Sequence, residues 1–518
     1  MPETNISQPI VPNNFMDISF DETAVEKKTK GDNNYMPKTN ASQPAPLKNF
    51  LEIPYDELEA LNLEAAEAAE KLSPAELEKK YRAYMQNEKR LKAVTICFTD
   101  IEGRFHTLDY DLQFFLNAND NLTFDGSSIR GFSAQKESDL RLGTDWGSIF
   151  WLPSDVFGPG KVIMFGTVLN RDKTPYESDF RTRLVALAGE MKKTRGLTAN
   201  VAAEVEGFVV KGLNSEQAYN EVSEFELIST GGYFHSLPMD PLKKFIDAAA
   251  EAQRAMGFRN EKDHPEVAPS QFELNFSHAS LVRACDLIQL YKLVCRQVAA
   301  NMGMTATFLP KPISGVNGSG MHLNLSFSKG GKNVFFEKAG EDGLSEIAWD
   351  SISRILNHAQ ELSLILNSSV NAYRRLDPHF EAPNQIKVSS VDRGAMIRIP
   401  AGNEKSARIE LRSVGPDANP YLALYALVRT ALEGVPLTKD ESKRDRVRFL
   451  PGNIHDAIRI FRASEFIKGA LGEASHEKYL QYKQGAADRS PKELGSIVKS
   501  SEVLFHHDVT TQMLWHKF

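Results

Sequence analysis

The chain has 518 residues, 42% of them hydrophobic and 25% charged, with a formal net charge of -7 and a pI near 6.0. That length exceeds one small core, so two or more folding units are expected, and the acidic balance leaves no basic excess to neutralise a nucleic-acid backbone. The chain has no run of about 18 apolar residues to span a membrane, and its three cysteines, Cys97, Cys285 and Cys295, form no CxxC pair, which suits a reducing, cytoplasmic setting.

Residues 1–53 are rich in Asn, Pro, Ser, Lys and Glu without a core pattern, which predicts a disordered tail. The tail contains a duplication: MPETNISQPIVPNNFMDI from Met1 and MPKTNASQPAPLKNFLEI from Met36 agree at ten of 18 positions. Two readings stay open, a duplication in a tolerant tail and a bivalent peptide docking a partner protein, where two copies raise the effective concentration.

A helical lead-in is expected over 54–90. Tyr55 to Lys71 forms its first helix. Ser73 and Pro74 then supply an N-cap and a first-turn proline for a second, and Glu76 completes a capping box. A small β-rich domain is expected over 91–172. Lys92 to Tyr110 alternates as two strands about a turn at Glu102-Gly103, a strand-and-loop region covers Phe124 to Phe132, and Val162 to Leu169 is an apolar strand. From 173 to 518 strands and helices mix, giving an α+β fold class. Helices are expected over 180–194, ending near Gly196, and over 240–256, 284–302, 347–366 and 419–432. A strand is expected over 199–210, and the part beyond Ile454 reads as mainly helical.

The polar constellations lie on the alternating stretches. Asn317 to Ser326 reads NGSGMHLNLS, and a strand there puts His322, Asn324 and Ser326 on one face, with Leu323 and Leu325 on the other. In the AEVEG stretch Glu204 and Glu206 share a face, where two like charges call for a cation or for water. HPEVAPSQFE places Glu266 and Glu273 about a proline-marked loop, and RIELR puts Arg408, Glu410 and Arg412 on one face. A solvated strand or an internal ion-pair stripe explains each stretch taken alone. Together they offer five glutamates and one histidine with no thiolate, a donor set that suits magnesium or manganese and divides into two sites of three. Arg374, Arg375, Arg393, Arg398 and Arg412 add forked donors for carboxylate and phosphate, which points to phosphoryl transfer. The GxxxxGK[ST] phosphate loop is missing from the sequence, so a nucleotide needs another architecture.

FDGSSIRGF from Phe124, AEVEG, GGYF from Gly231, HPEVAPSQFE, FLPKP from Phe308, NGSGMHLNLS, NAYRRL, FEAP from Phe380 and RIELRSVGPDANPYLAL occur in the order found in glutamine synthetases. From about 90 to about 475 the chain closely resembles the bacterial type I members of that family. The resemblance implies a β-grasp N-terminal domain and a catalytic domain built as an antiparallel sheet with helices. It also implies ATP-dependent ligation of ammonia to L-glutamate through a γ-glutamyl phosphate, in a homo-oligomer, a dodecamer of two stacked hexameric rings.

Carried over by the same resemblance, Glu206, Glu266 and Glu273 would hold one Mg2+ or Mn2+, and Glu204, His322 and Glu410 the other. Arg375 and Arg412 would bind glutamate, with Asn317 and Gly318 at its amino group. Arg393 and Arg398 would hold the transferring phosphate. Ser326, Asn324, Lys405 and Arg408 would lie near ATP. Glu381 would close over the intermediate and accept a proton from ammonium. Asp125, Ser128 and Tyr233 would form the ammonium site, the first two arriving from a neighbouring subunit.

Ser270 stands where the family has glycine, Asp392 and Gly394 flank Arg393 in place of Asn and Ser, and Phe180 replaces a common proline. Asn324 stands where many relatives have histidine. No tyrosine lies between Gly434 and His476, so adenylylation control of the enterobacterial kind is not expected, and beyond about 480 the usual pattern is lost. Two other functions fit parts of this pattern, a γ-glutamyl ligase for a polyamine or other amine and a catalytically silent scaffold. The intact ammonium cage and the complete metal and arginine sets favour the ammonia ligase.

Overall fold

Two helices open the described part of the chain. The computed structural model describes residues 53–489 except 119, 130, 131, 134–137, 220–223, 378, 379, 381 and 439–446. The tail up to residue 52, Glu381 and residues 490–518 therefore lie outside the described residues. The first helix, Tyr55–Lys71, buries Leu58, Asn62, Ala65 and Ala68, a stripe at helical spacing. Ser73 and Glu76 form the expected capping box at the start of Pro74–Asn87.

Asn62 is a buried polar residue on an otherwise apolar stripe. Its Nδ2 donates to the carbonyls of Trp151 (3.0 Å) and Ala255 (2.8 Å), and its Oδ1 accepts from the Trp151 N–H (2.9 Å). One amide thus ties the lead-in to two separate parts of the fold. Gly257, at φ 75, lets the chain pass close by, since a β-carbon there would sit 2.8 Å from Asn62 Cβ. Asn62→Ala is expected to cost about 3 kcal/mol, one unit for each lost bond, read as a lower urea midpoint at unchanged slope.

The first sheet contains β1 (Ala93–Thr99), β2 (Phe105–Asp111), β3 (Leu122–Asp125), β4 (Asp139–Thr144), β5 (Phe150–Trp151) and β6 (Lys161–Leu169). Its order is β2-β1-β6-β4-β3, with β5 against β6. The expected hairpin is present: β1 and β2 pair antiparallel about Gly103, at φ 98. β1 and β6 pair parallel, a pairing that the local alternation could not show.

The second sheet contains β7 (Leu197–Lys211), β8 (Asn260–Pro265), β9 (Gln271–Phe276), β10 (Ala279–Ser280), β11 (Met304–Thr307), β12 (Met321–Lys329), β13 (Lys332–Asn333), β14 (Gln385–Ser389), β15 (Ala395–Arg398) and β16 (Ile409–Leu411). Its central path runs β14-β15-β16-β12-β7-β9-β8. Helices Phe180–Arg195, Pro241–Ala255, Leu281–Asn301 and Pro420–Glu433 contribute to the core shared with one face of this sheet. Asp179, Asp240 and Asn419 cap three of them through side-chain oxygens. Because Asp179 accepts from the N–H groups of Arg181 and Thr182, the helix starts in register with phenylalanine at 180.

The single helix expected over 347–366 is two helices, Glu346–Asn357 and Ala359–Leu366, broken at His358. The His358 ring accepts the Val435 N–H at Nε2 (3.0 Å), while Nδ1 lies 3.1 Å from Glu361. A tertiary partner therefore fixes the break, which neither Gly nor Pro marks in the sequence. Past Ile454 the described chain is helical as expected, over Ile454–Ala463, Glu465–Leu471 and Glu473–Arg489. Buried Lys483 on the last helix lies 3.3 Å from Glu102 of the β1–β2 turn. Among the described residues no helix is long and apolar enough to cross a membrane.

Candidate active site

The site lies on the sheet face turned away from the helical core. On β12, Met321, Leu323, Leu325 and Phe327 are fully buried beneath, and His322, Asn324 and Ser326 take the upper face as the alternation predicts. β7 carries Ala199, Val201, Ala203 and Val205 below, with Glu204 and Glu206 above. Register aligns the polar residues across strands: His322 opposite Glu204, Asn324 opposite Glu410, Glu410 opposite Arg398, Glu206 opposite Glu273, and Glu273 opposite His264. Residues directly opposite share a face, so stretches far apart in the chain meet.

Two compact donor groups result. Glu204, His322 and Glu410 offer ligand atoms all within 4.8 Å of one another, and so do His264, Glu266 and Glu273. His322 Nδ1 is 3.6 Å from both Glu204 and Glu410. Glu206 lies between the groups: its Oε2 accepts from the Gly320 N–H (2.8 Å) and Gln271 Nε2 (3.4 Å), and its Oε1 is 4.0 Å from His322 Nε2. His264 was not among the expected ligands, although its spacing of two from Glu266 is the same signal that pairs Glu204 with Glu206. Its Nδ1 donates to the Pro265 carbonyl at 3.1 Å and is 3.5 Å from Glu266, and burial lowers its pKa.

The carboxylates carry opposite shifts. Burial works to raise Glu204, but the imidazole of His322 and the amide of Asn324 (3.0 Å) outweigh it and hold the group at about 2. Burial and the charge of Glu206 push Glu266 up to about 7. Glu273 rises in the same direction, from burial and then from Glu206, Glu204 and Glu266. Such crowding is unfavourable for carboxylates alone and is relieved by a divalent cation; the oxygen-rich sets with one imidazole each fit a hard metal.

Guanidinium groups ring the first cluster. Arg398 and Arg412 donate to the two oxygens of buried Glu410 at 2.8 and 2.7 Å, and Arg408 Nε donates to Asn324 Oδ1 at 2.8 Å. Arg375 is buried and donates to the carbonyls of Arg412 (2.9 Å) and Val414 (3.3 Å). Burial pushes it down to about 10, partly offset by Glu206, so it stays charged at neutral pH. Gly318 and Gly320 make room for it: a β-carbon on Gly318 would meet Pro310 O at 2.4 Å, and one on Gly320 would meet Arg375 Nη2 at 2.4 Å. Asn317 beside them is half-buried.

A cleft of about 1120 Å³ opens from Glu204 past Asn324, Ser326, Lys405 and Arg408, with Lys262 and Phe336 also lining it. Arg393 is exposed on the loop between β14 and β15, and its charge reaches Tyr233. Asp392 holds that loop by accepting from the Gly394 N–H (2.8 Å) and pairing with Lys387 (2.6 Å). Tyr233 is 52% exposed, and its hydroxyl is pushed up by burial and then by Glu266 and Glu273. Asp125 ends β3 in the first sheet, and Ser128 lies in the tight turn that follows it. Asp125 caps its own turn, accepting from the Ser127 and Ser128 hydroxyls at 2.6 Å each, and these bonds hold it below the usual carboxylate range. No contact among the described residues joins these two to the second sheet's carboxylates.

The family models for the glutamine synthetase β-grasp domain and catalytic domain match residues 90–171 and 177–494. Glutamine synthetase of Staphylococcus aureus strain MRSA252 is 35% identical over 415 residues, covering 76% of this chain and 91% of its own. That of Staphylococcus epidermidis is 34% identical over the same span. Among solved structures, the Plasmodium falciparum glutamine synthetase superposes with a TM-score of 0.71 at 20% identity, covering 79% of this chain and 96% of its own. A ligand-free GmaS gives 0.67 at 25% identity, covering 78% and 95%. The sheet that gathers the acid clusters is thus the sheet of a known catalytic domain, and the chain belongs to the glutamine synthetase family, an enzyme with a β-grasp domain ahead of an ATP-dependent ligase domain.

Proposed function

We propose that this enzyme joins ammonia to L-glutamate at the expense of ATP, with Mg2+ or Mn2+ in both acid clusters, as a cytoplasmic dodecamer of two stacked hexameric rings. The observation that carries the reading is the pair of carboxylate clusters on one sheet face, bordered by guanidinium groups at the end of the cleft. Glu204, His322 and Glu410 hold one cation. Glu266 and Glu273 hold the other, with Glu206 and His264 alongside. When bound, these cations draw charge off the transferring phosphate and orient its oxygens.

The chain's own groups do the rest. Arg375 and Arg412 grip glutamate through its carboxylates, with Gly318 at its amino group. Ser326, Asn324, Lys405 and Arg408 bind ATP along the cleft, and Arg393 and Arg398 stabilise the phosphoryl group as it passes to the γ-carboxylate. The acyl phosphate that results gives carbon a good leaving group. Tyr233, Glu266 and a neighbour's Asp125 and Ser128 attract ammonium, and Glu381 takes its proton and keeps water away.

Phosphate release is measured with ATP, magnesium and glutamate, comparing ammonium with putrescine. Turnover is expected only with ammonium. Release confined to putrescine overturns ammonia as the nucleophile, and an assembled protein silent with both is no ligase.

A further inference from the structure

The loop between Glu266 and Glu273 turns at Ser270, whose backbone is left-handed at φ 63. That conformation crowds a β-carbon, so glycine adopts it most easily. Ser270 is fully buried, and its hydroxyl is fully engaged. Oγ accepts from the N–H groups of Ile228 and Ser229, both at 2.9 Å, and donates to the Ser229 carbonyl at 3.2 Å. The Ser270 carbonyl meanwhile accepts from Val209 of β7 at 2.9 Å.

The bonds continue from Ser229. Its own hydroxyl donates to Asp240 at 2.7 Å and accepts from the Gly231 N–H at 3.3 Å. Asp240 also caps the helix Pro241–Ala255. The segment framed between Ser229 and Asp240 carries Tyr233, which stacks on Phe234 at 3.8 Å, and Phe234 packs edge-on against His264 at 4.8 Å. Phe234 and Met239 in this segment are themselves left-handed, at φ 55 and 59. Non-glycine residues keep such a backbone only where the surroundings over-determine it.

We propose that Ser270 is a positioning residue for the amine site, its hydroxyl registering the loop that presents Tyr233 against the loop that presents Glu266 and Glu273. This rests on the ammonia-ligase reading above. An amine is small and makes few contacts, so a shift of Tyr233 relative to Glu266 weakens its capture, while the nucleotide cleft, lined by Thr198, Asn200, Asn324 and Arg408 and by no residue of these two loops, is untouched.

Two variants separate this role from a plain structural one. Ser270→Ala keeps the strained β-carbon and removes the hydroxyl bonds. Ser270→Gly removes the same bonds but relieves the backbone. Both are expected to raise KM for ammonium about tenfold, as misplacement of a binding group does, with KM for ATP unchanged. The melting temperature is expected to fall in Ser270→Ala and to recover in Ser270→Gly. If KM for ammonium follows the melting temperature, if KM for ATP rises equally, or if neither variant changes KM, the proposal is overturned. A wild-type enzyme without ammonium-dependent phosphate release instead overturns the function on which it rests.

Discussion

Glu410→Gln is expected to lower turnover by about three orders of magnitude while the protein stays folded. Glu410 is fully buried, with Arg398 and Arg412 on its two oxygens and His322 at 3.6 Å. A carboxylate has about four acceptor positions, so it can accept from both guanidinium groups and still ligate. Glutamine keeps the volume and one oxygen but loses the charge. The first cluster then falls from two carboxylates to one, and two arginines face it uncompensated. Loss of several kcal/mol of charge stabilisation in the transition state corresponds to a rate loss of about that size. Because truncating a buried ion pair also destabilises by about 3–5 kcal/mol, the melting curve is recorded beside the rate. Cation affinity by calorimetry should fall with turnover. Normal affinity and normal turnover in a folded variant would refute the ligand role of Glu410.

The second cluster makes metal-free stability depend on pH. Glu266 is pushed from its ordinary 4.5 up to about 7, and Glu273 is raised too. Between those values the folded chain keeps a proton that the unfolded chain has released, so stability falls as pH rises. The contribution is fully present below about 4.5 and lost through about 7. Mg2+ or Mn2+ reverses the trend by replacing the protons. The gain in melting temperature on adding Mn2+ is therefore expected to be several degrees larger at about pH 8 than at about pH 5.5. A gain independent of pH sinks this account.

Much of this was legible because the site lies on strands. Period-two alternation names the upward residues of β7, β12 and β16 without any tertiary knowledge, and the expected ligands Glu204, His322 and Glu410 come together as one group. What alternation leaves out is which strands are neighbours. Hence the parallel β1–β6 pairing, and the placing of His264 opposite Glu273, emerge only in the fold. The break at His358 depends on a backbone N–H 77 residues away. Ser270 reads as a loss of glycine; its compensation lies in the backbone of residues 228 and 229, which no local pattern reveals. Asp125 and Ser128 bond to each other within one chain, so their proposed service to a neighbouring subunit has no local signature either.

Glu204 and Glu206 are successive upward residues of the same strand. Their Cα atoms are therefore separated by two residue steps of a β-strand, about 6.8 Å. The polypeptide itself acts as a ruler between the first charge cluster and the carboxylate that lies between the two. Changing a side chain can tune what each cluster binds, but it cannot stretch or shorten the interval. A one-residue insertion between them would send one glutamate into the hydrocarbon interior.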